Sequence, residues 1–580
     1  MQRLVRRFIL LFFITVLLLW GWRWVGAQDT AIYDYRDRAH PVIGTQGMVA
    51  SQEELATQAG LAVLEAGGNA IDAAVTVGFA LAVTLPRAGN IGGGGFMLIH
   101  NAQTQETTAL DYREKAPQAA TRDMFLDENG EADPQKSRFS HLAVGVPGTV
   151  AGLALALEKY GTISLARAIQ PAIELAENGF PVSQDLHETL VFGMPRLMRH
   201  PATREIFYHD NGLPYRVGEI LRQPDLAQSL QRIAENGVAG FYRGETAAAI
   251  AQEMANHDGL ITTEDLANYQ PVIREPIHGS YRGYEIYSMP PPSSGGVHLV
   301  QILNLLEPHN LRTLGHNSAN TLHLMIEAMK LAYADRSKYL GDPDFVEVPV
   351  AQLTSKAYAE QLQGKIDRDR ATPSTSIAPG DPYSLPDESN ETTHFSVSDR
   401  FGNAVSNTYT LNFSYGSGIT VPGTGILLNN EMDDFSAKPG VPNAYGLIGG
   451  EFNAVAPGKR MLSSMTPTIV LQEGEVFLVT GSPGGSRIIT TVLQILLNVI
   501  DHDLNIAEAT AAGRIHHQWL PDEVRVEKGF NRDTAAILRL KGHQVVEKAA
   551  MGSTQSIVQH NGRLYGASDP RKPGALTLGY

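Results

Sequence analysis

The chain has 580 residues, a net charge of −15, 43% apolar side chains and no cysteine. That length exceeds one typical domain and can bury a large core, and the apolar fraction excludes a disordered chain. The charge is spread rather than blocked, which argues against nucleic acid as a partner, and the missing cysteine excludes disulfides and a lipidated N-terminal Cys.

Arg3, Arg6 and Arg7 precede an apolar run from Phe8 to Trp20, and Val25 and Ala27 suit the −3 and −1 positions of a signal-peptidase site before Gln28. Residues 1–27 therefore read as an export signal, giving a periplasmic or extracellular protein. An uncleaved anchor is the alternative, helped by Trp20, Trp22 and Trp24 at a membrane interface. Ser51-Gln52-Glu53-Glu54 fits a capping box for a helix to Ala66, which Gly67-Gly68 ends. Asn69 can cap a second helix, AIDAAVTVGFALAVT, apolar on nearly every side and so buried. The run Gly92-Gly93-Gly94-Gly95 lacks a following Lys-Ser/Thr and reads as crowded backbone rather than a phosphate cradle.

Phe96–His100 and Thr107–Tyr112 read as strands, the second ending in Asp111-Tyr112-Arg113-Glu114. An arginine at a strand end is either solvated or a bidentate carboxylate clamp. From Pro147 to about Leu340 the pattern is mostly helical, with a strand expected over Tyr281–Met289. Residues 371–391 are crowded with Pro, Ser and Asp and lack periodic apolar positions, so a solvated loop is predicted.

After that loop, Thr393, Phe395 and Val397 alternate with Thr392, His394 and Ser396, the period of a half-buried strand. Turn residues Asp399–Asn403 and a second alternating run, Ala404–Asn412, complete a hairpin. A turn centred near Phe401 puts Thr392 opposite Thr410, with Thr410 and Asn412 on one face. An ordinary Thr-rich edge strand is the bland reading. Further on, Glu431, Asp433 and Asp434 follow an apolar strand, as capping acids or a weak calcium site would. Pro439–Gly450, around Tyr445, has the composition of a movable lid. In Val479–Arg487 a strand runs into Gly484 and Gly485 before a helix, so backbone N–H groups there either hold an oxyanion or simply make a turn. No His-Glu-x-x-His or Gly-x-Ser-x-Gly occurs, and His516 and His517 would point to opposite sides of a strand.

Taken together, Asp111-Tyr112-Arg113-Glu114, Thr392-Thr393-His394, Leu428–Ser436, Ser463-Ser464-Met465 and Thr480–Ser486 resemble the γ-glutamyltranspeptidases, over about His40 to Tyr580. The resemblance implies an N-terminal-nucleophile hydrolase fold, α/β in class: a four-layer αββα sandwich. It implies a precursor that cuts itself between Glu391 and Thr392 into a large chain, 28–391, and a small chain, 392–580, which stay together as a heterodimer. It implies Thr392 as nucleophile, Thr410 orienting it, Gly484 and Gly485 as oxyanion hole, Arg113, Ser463 and Ser464 for the substrate α-carboxylate, and Asn412, Glu431 and Asp434 for the zwitterionic end. Tyr445 resembles the lid tyrosine of members that have this loop. Glutathione and related γ-glutamyl compounds would be donors, water, amino acids or peptides acceptors, with no metal or organic cofactor and the membrane met only through the N-terminal segment. Position 431 is Gln in some relatives and Glu here. The rivals are a cephalosporin acylase, a non-catalytic γ-glutamyl-binding protein, and an enzyme anchored by residues 1–27.

Overall fold

The alternating run at Thr392 becomes the middle of the molecule. Thr393–Asp399 is a strand, the chain turns around Phe401, and Ala404–Thr410 returns antiparallel to it. Thr393 pairs with Tyr409 and Ser398 with Ala404, the register predicted from that turn. These are inner strands of a seven-stranded antiparallel sheet, in the order Leu576–Gly579, Gly47–Ser51, Thr393–Asp399, Ala404–Thr410, Gly94–Asn101, Glu106–Tyr112, Val272–Arg274. The edge-strand reading is thereby excluded. The structure, a computed structural model, describes residues 39–378, 392–441, 443 and 447–580. Residues 41–580 form one compact unit.

The half-buried strand expected at 393–397 is instead buried on both faces. Phe395 and Val397 join the core cluster of the helix Ala70–Thr84. The opposite face meets a second seven-stranded antiparallel sheet, ordered Val42–Gly44, Arg563–Ser568, Gln555–His560, Glu475–Thr480, Thr468–Gln472, Tyr284–Ser288, Ile277–Tyr281. Ser396 Oγ donates to the Gln555 carbonyl at 2.8 Å, and Ser406 Oγ to that of Thr480 at 2.9 Å. Polar residues at alternate positions here bridge two sheets instead of meeting water, so alternation reported the chemistry of the facing layer and not its exposure. The helices Glu54–Glu65, Ala70–Thr84 and Thr149–Tyr160 cover the first sheet, and Gly295–Leu306, Ala319–Tyr339 and Arg487–Ile500 the second. The result is the four-layer αββα sandwich, built from antiparallel sheets in a mixed α/β protein.

Local signals fared unevenly. The helix Glu54–Glu65 is capped by Glu53, whose carboxylate accepts from the Leu55 and Ala56 N–H groups at 3.1 and 2.9 Å. Ser51 is not the cap, because its backbone is paired with Leu576 as the end of a strand. Asn69 and Asp72 do form a capping box, and all of Ala70–Thr84 is buried. The strand expected over Tyr281–Met289 is found at Tyr284–Ser288; its start is cut back because Arg282 and Gly283, with φ of 50° and 86°, make the turn that joins it to the strand Ile277–Tyr281. The glycine run is crowded as predicted: a Cβ on Gly92 would lie 2.1 Å from the Leu427 carbonyl oxygen, and one on Gly93 2.1 Å from that of Thr410. That close approach presses Thr410 against the strand of Gly94.

Among the described residues no helix is long and apolar enough to cross a membrane. The export segment 1–27, the loop residues 379–391 and Tyr445 lie outside the described residues.

Candidate active site

Thr392 stands directly before the first paired residue of its strand and is buried. It lines a cavity with Thr410 and Asn412, which the other arm of the hairpin delivers. Ala404–Thr410 ends as a strand at Thr410, and Asn412 takes a left-handed φ of 75°. Its N–H donates to Thr410 Oγ1 at 2.8 Å, which keeps both side chains at the cavity.

The acidic turn arrives by a different route. Asn429 donates to the Gly92 and Gly145 carbonyls, each at 2.8 Å, and its own amide oxygen accepts from the Gly145 and Glu431 N–H groups. Asn430 accepts from the Phe413 N–H and takes an Asn412 amide bond on its carbonyl at 3.0 Å. These two asparagines fix the 3₁₀ turn Glu431–Asp434 beside the hairpin. Asp433 is turned away, accepting from Ser137 Oγ at 2.5 Å, whereas Glu431 and Asp434 line the cavity.

Both acids meet Arg113, which follows the strand Glu106–Tyr112 and is buried. Arg113 Nη1 lies 2.6 Å from Glu431 Oε2 and 3.6 Å from Glu114 Oε2, and Nη2 donates to Asp434 Oδ2. Arg113 is therefore not a solvated strand end. Three carboxylates around one guanidinium cannot all be satisfied: neither oxygen of Glu114 and neither of Glu431 makes an aligned hydrogen bond among the described residues. Burial, opposed by Arg113 and aided by the neighbouring acids, pushes the Glu114 carboxyl up to about 8 and Asp434 up to about 6. It drives Glu431 well above the ordinary carboxylate range.

The remaining wall is rich in hydroxyls. Ser463 and Ser464 line the cavity, with the Ser463 N–H donating to the Pro292 carbonyl at 2.8 Å and its own carbonyl accepting from the Ser294 N–H at 2.9 Å. Gly485 lines it too, while Gly484 lies one residue behind the lining. Their φ values are 136° and 55°, the second in the left-handed region, and neither N–H donates to another group among the described residues. An unused backbone N–H in a cavity wall that also holds hydroxyls is the kind of donor that stabilisation of a developing oxyanion requires.

A family model for γ-glutamyltranspeptidase matches residues 56–578. The chain belongs to the γ-glutamyltranspeptidase family. It is 59% identical over 546 residues to an Escherichia coli protein named glutathione hydrolase proenzyme, covering 94% of this chain and 93% of the relative. A Pseudomonas protein of the same name is 46% identical, covering 96% and 98%. Among solved structures, a cephalosporin acylase from Bacillus halodurans superimposes with a TM-score of 0.83 at 31% identity, covering 95% of this chain and 99% of that one.

For a γ-glutamyltranspeptidase cavity, sequence reasoning missed Arg336 and Ile488, which also line it, and gave no role to Asn443 and Leu447 of the expected lid or to Met465 and Ser486 of the serine and glycine motifs. Asn443 and Leu447 brace each other across the expected lid, through an N–H to carbonyl bond at 3.1 Å, and Gly440 and Gly449 close its base at 3.0 Å. Arg336 carried no local signal: Asp335-Arg336-Ser337-Lys338 reads as a solvated helix face. Two His-Glu-His groups that could hold a metal, His141/Glu253/His257 and His323/Glu327/His543, are not part of the cavity lining.

Proposed function

We propose that this chain is a self-processing γ-glutamyl hydrolase and transferase that takes glutathione and related γ-glutamyl amides. The observation that carries the reading is a threonine heading an inner strand in a cavity that holds the unused Gly485 N–H, a serine pair and two acids on one arginine. Such a cavity suits an amide whose acyl group bears both an ammonium and a carboxylate.

In the precursor, Thr392 Oγ attacks the Glu391 carbonyl, the peptide nitrogen leaves as the new α-amine, and water opens the resulting ester. Cleavage supplies the base the hydroxyl needs, because an α-amine has a reference pKa of about 7.7–8.0. Among the described residues no histidine lines the cavity to offer this service. His394 is buried between the sheets, bonded to Thr408 and Ser396 hydroxyls, and burial lowers it to about 3. In the mature enzyme the amine takes the Thr392 hydroxyl proton as Oγ attacks the γ-carbonyl, then passes it to the departing amine. A γ-glutamyl ester on Thr392 remains, which water resolves to glutamate or an amino acid or peptide resolves by transfer. Gly484 and Gly485 hold the oxyanion, Thr410 orients the nucleophile, Arg113, Ser463 and Ser464 take the α-carboxylate, and Asn412, Glu431 and Asp434 recognise the ammonium end, under a lid bearing Tyr445. Residues 1–27 direct export, and the two chains, 28–391 and 392–580, remain a heterodimer.

The test is release of aniline from a γ-glutamyl anilide and from a glutaryl anilide, which lacks the ammonium. Cleavage of the first and not the second is expected. Cleavage of the glutaryl compound alone would make the chain an acylase, and cleavage of neither by an uncut chain would leave a binding protein.

A further inference from the structure

Two arginines line the cavity, and their charges are met in opposite ways. Arg113 faces three carboxylates. Arg336, 5% exposed on the helix Ala319–Tyr339, forms no ion pair among the described residues. Its Nε donates to Ser294 Oγ at 2.9 Å and its Nη2 to Ser464 Oγ at 3.1 Å, while Nη1 donates to no described group. Its direct partners are hydroxyls, and the carboxylate whose charge reaches it, Asp434, is already engaged by Arg113; a buried cation so partnered costs stability unless an anion arrives. Burial lowers this guanidinium to about 10, so it stays charged at neutral pH.

The two serines beside it complete the pattern. Ser464 Oγ is used as an acceptor by Arg336, and Ser463 Oγ by the Met465 N–H at 3.1 Å. A hydroxyl whose oxygen is so occupied still has its hydrogen to donate. Neither hydrogen has an acceptor among the described residues, so two O–H donors and one cation outside any ion pair converge on this end of the cavity. The same helix reaches the neighbouring wall: Tyr333, three residues earlier, donates its hydroxyl to the carbonyl of Ser486, just after the glycine pair.

We propose that Arg336 is a positioning residue for the substrate α-carboxylate, holding the Ser464 oxygen so that its hydrogen points to the ligand and supplying the positive charge that Arg113 largely spends on its own acids. This rests on the γ-glutamyl reading of the cavity. It also makes the carboxylate a bridge between the parts on either side of the expected cut, Arg113 and Arg336 before it, Ser463 and Ser464 after it.

The experiment compares the unaltered enzyme with Arg336→Met and Arg336→Lys on two anilides, γ-glutamyl and 4-aminobutanoyl. The second keeps the ammonium and lacks only the carboxylate. Loss of a charge-assisted contact predicts that Arg336→Met raises KM for the γ-glutamyl anilide about 30- to 100-fold. Its kcat should change less than about 3-fold, as should kcat/KM for the 4-aminobutanoyl anilide, because only ground-state and transition-state binding of the carboxylate is shared. Arg336→Lys should regain about 10-fold of the lost affinity, since it restores charge without the forked geometry. Equal losses on both anilides, or an unchanged KM, would overturn the inference. If Arg336→Met fails to mature, Arg336→Lys decides alone: a loss confined to the γ-glutamyl compound supports the role, an equal loss refutes it. Failure of the unaltered enzyme to cleave the γ-glutamyl anilide would instead overturn the functional reading, and this inference with it.

Discussion

The two ends of the cavity are built from the same kinds of group in opposite proportion. At the Glu431 end, acceptors outnumber donors: three carboxylates crowd Arg113, and the oxygens of Glu114 and Glu431 lack aligned hydrogen bonds. At the Ser464 end, donors outnumber acceptors, with two serine hydrogens and a guanidinium that forms no ion pair among the described residues. The contrast teaches how a small site can fix the direction of a zwitterion. Each end is unsatisfied alone, and only a ligand carrying an ammonium at one end and a carboxylate at the other satisfies both.

The largest effect should come from leaving both ends intact and removing the hydroxyl of Thr392. Thr392→Ala is expected to stay uncut and to lose turnover by at least about 10⁴-fold, read as product release and as chain mass, because both cleavage and acyl transfer use its Oγ. Breaking the acidic end comes next. Asp434→Asn should lower kcat/KM for the γ-glutamyl anilide by about 100-fold, through loss of the ammonium contact, and narrow the preference over the glutaryl anilide. In the unaltered enzyme the same contact needs ionised Asp434, so kcat/KM should fall as pH drops through about 6. Folding stability should respond in the opposite sense at this residue. A carboxyl raised above its unfolded value binds its proton more tightly when folded, so its contribution grows as pH falls from about 6 toward 3.8. Denaturant melts of the unaltered chain and Asp434→Asn across that window read the difference.

The mildest change sharpens the comparison instead of breaking it. Glu431→Gln removes one of three crowded acids while keeping a polar group for the ammonium, so KM should move by less than about 5-fold. Burial and, among neighbouring carboxylates, Asp433 raise Asp434, and Glu431 is itself held protonated by burial, so the acid limb of the pH profile should stay near about 6. An acid limb that moves would mean that Glu431 sets the acidity of Asp434.

How legible this was depends on whether a residue's role is local. The hairpin and its register could be read from Thr392 to Thr410 because a turn and a period of two fix which residues face each other. That the strand is inner and dry could not, since its hydroxyls serve a second sheet contributed by residues far away in sequence. Arg113, the Glu431–Asp434 turn, the serine pair and the glycine pair were found as motifs resembling a known family, and no periodicity brings them together; Asn429, Asn430 and the glycine run do so through long-range backbone bonds. Arg336 escaped altogether. Within its helix the charged run looks solvated, and only packing of that helix beneath the second sheet turns the guanidinium inward.

The central claim, that Thr392 becomes an N-terminal nucleophile, is tested most directly by the intact masses of the purified protein under denaturing conditions. Two chains, the smaller beginning at Thr392 and ending at Tyr580, are expected, with Thr392→Ala giving one. A single uncut chain in the unaltered protein would contradict the account, for the threonine would then lack the amine that makes it reactive.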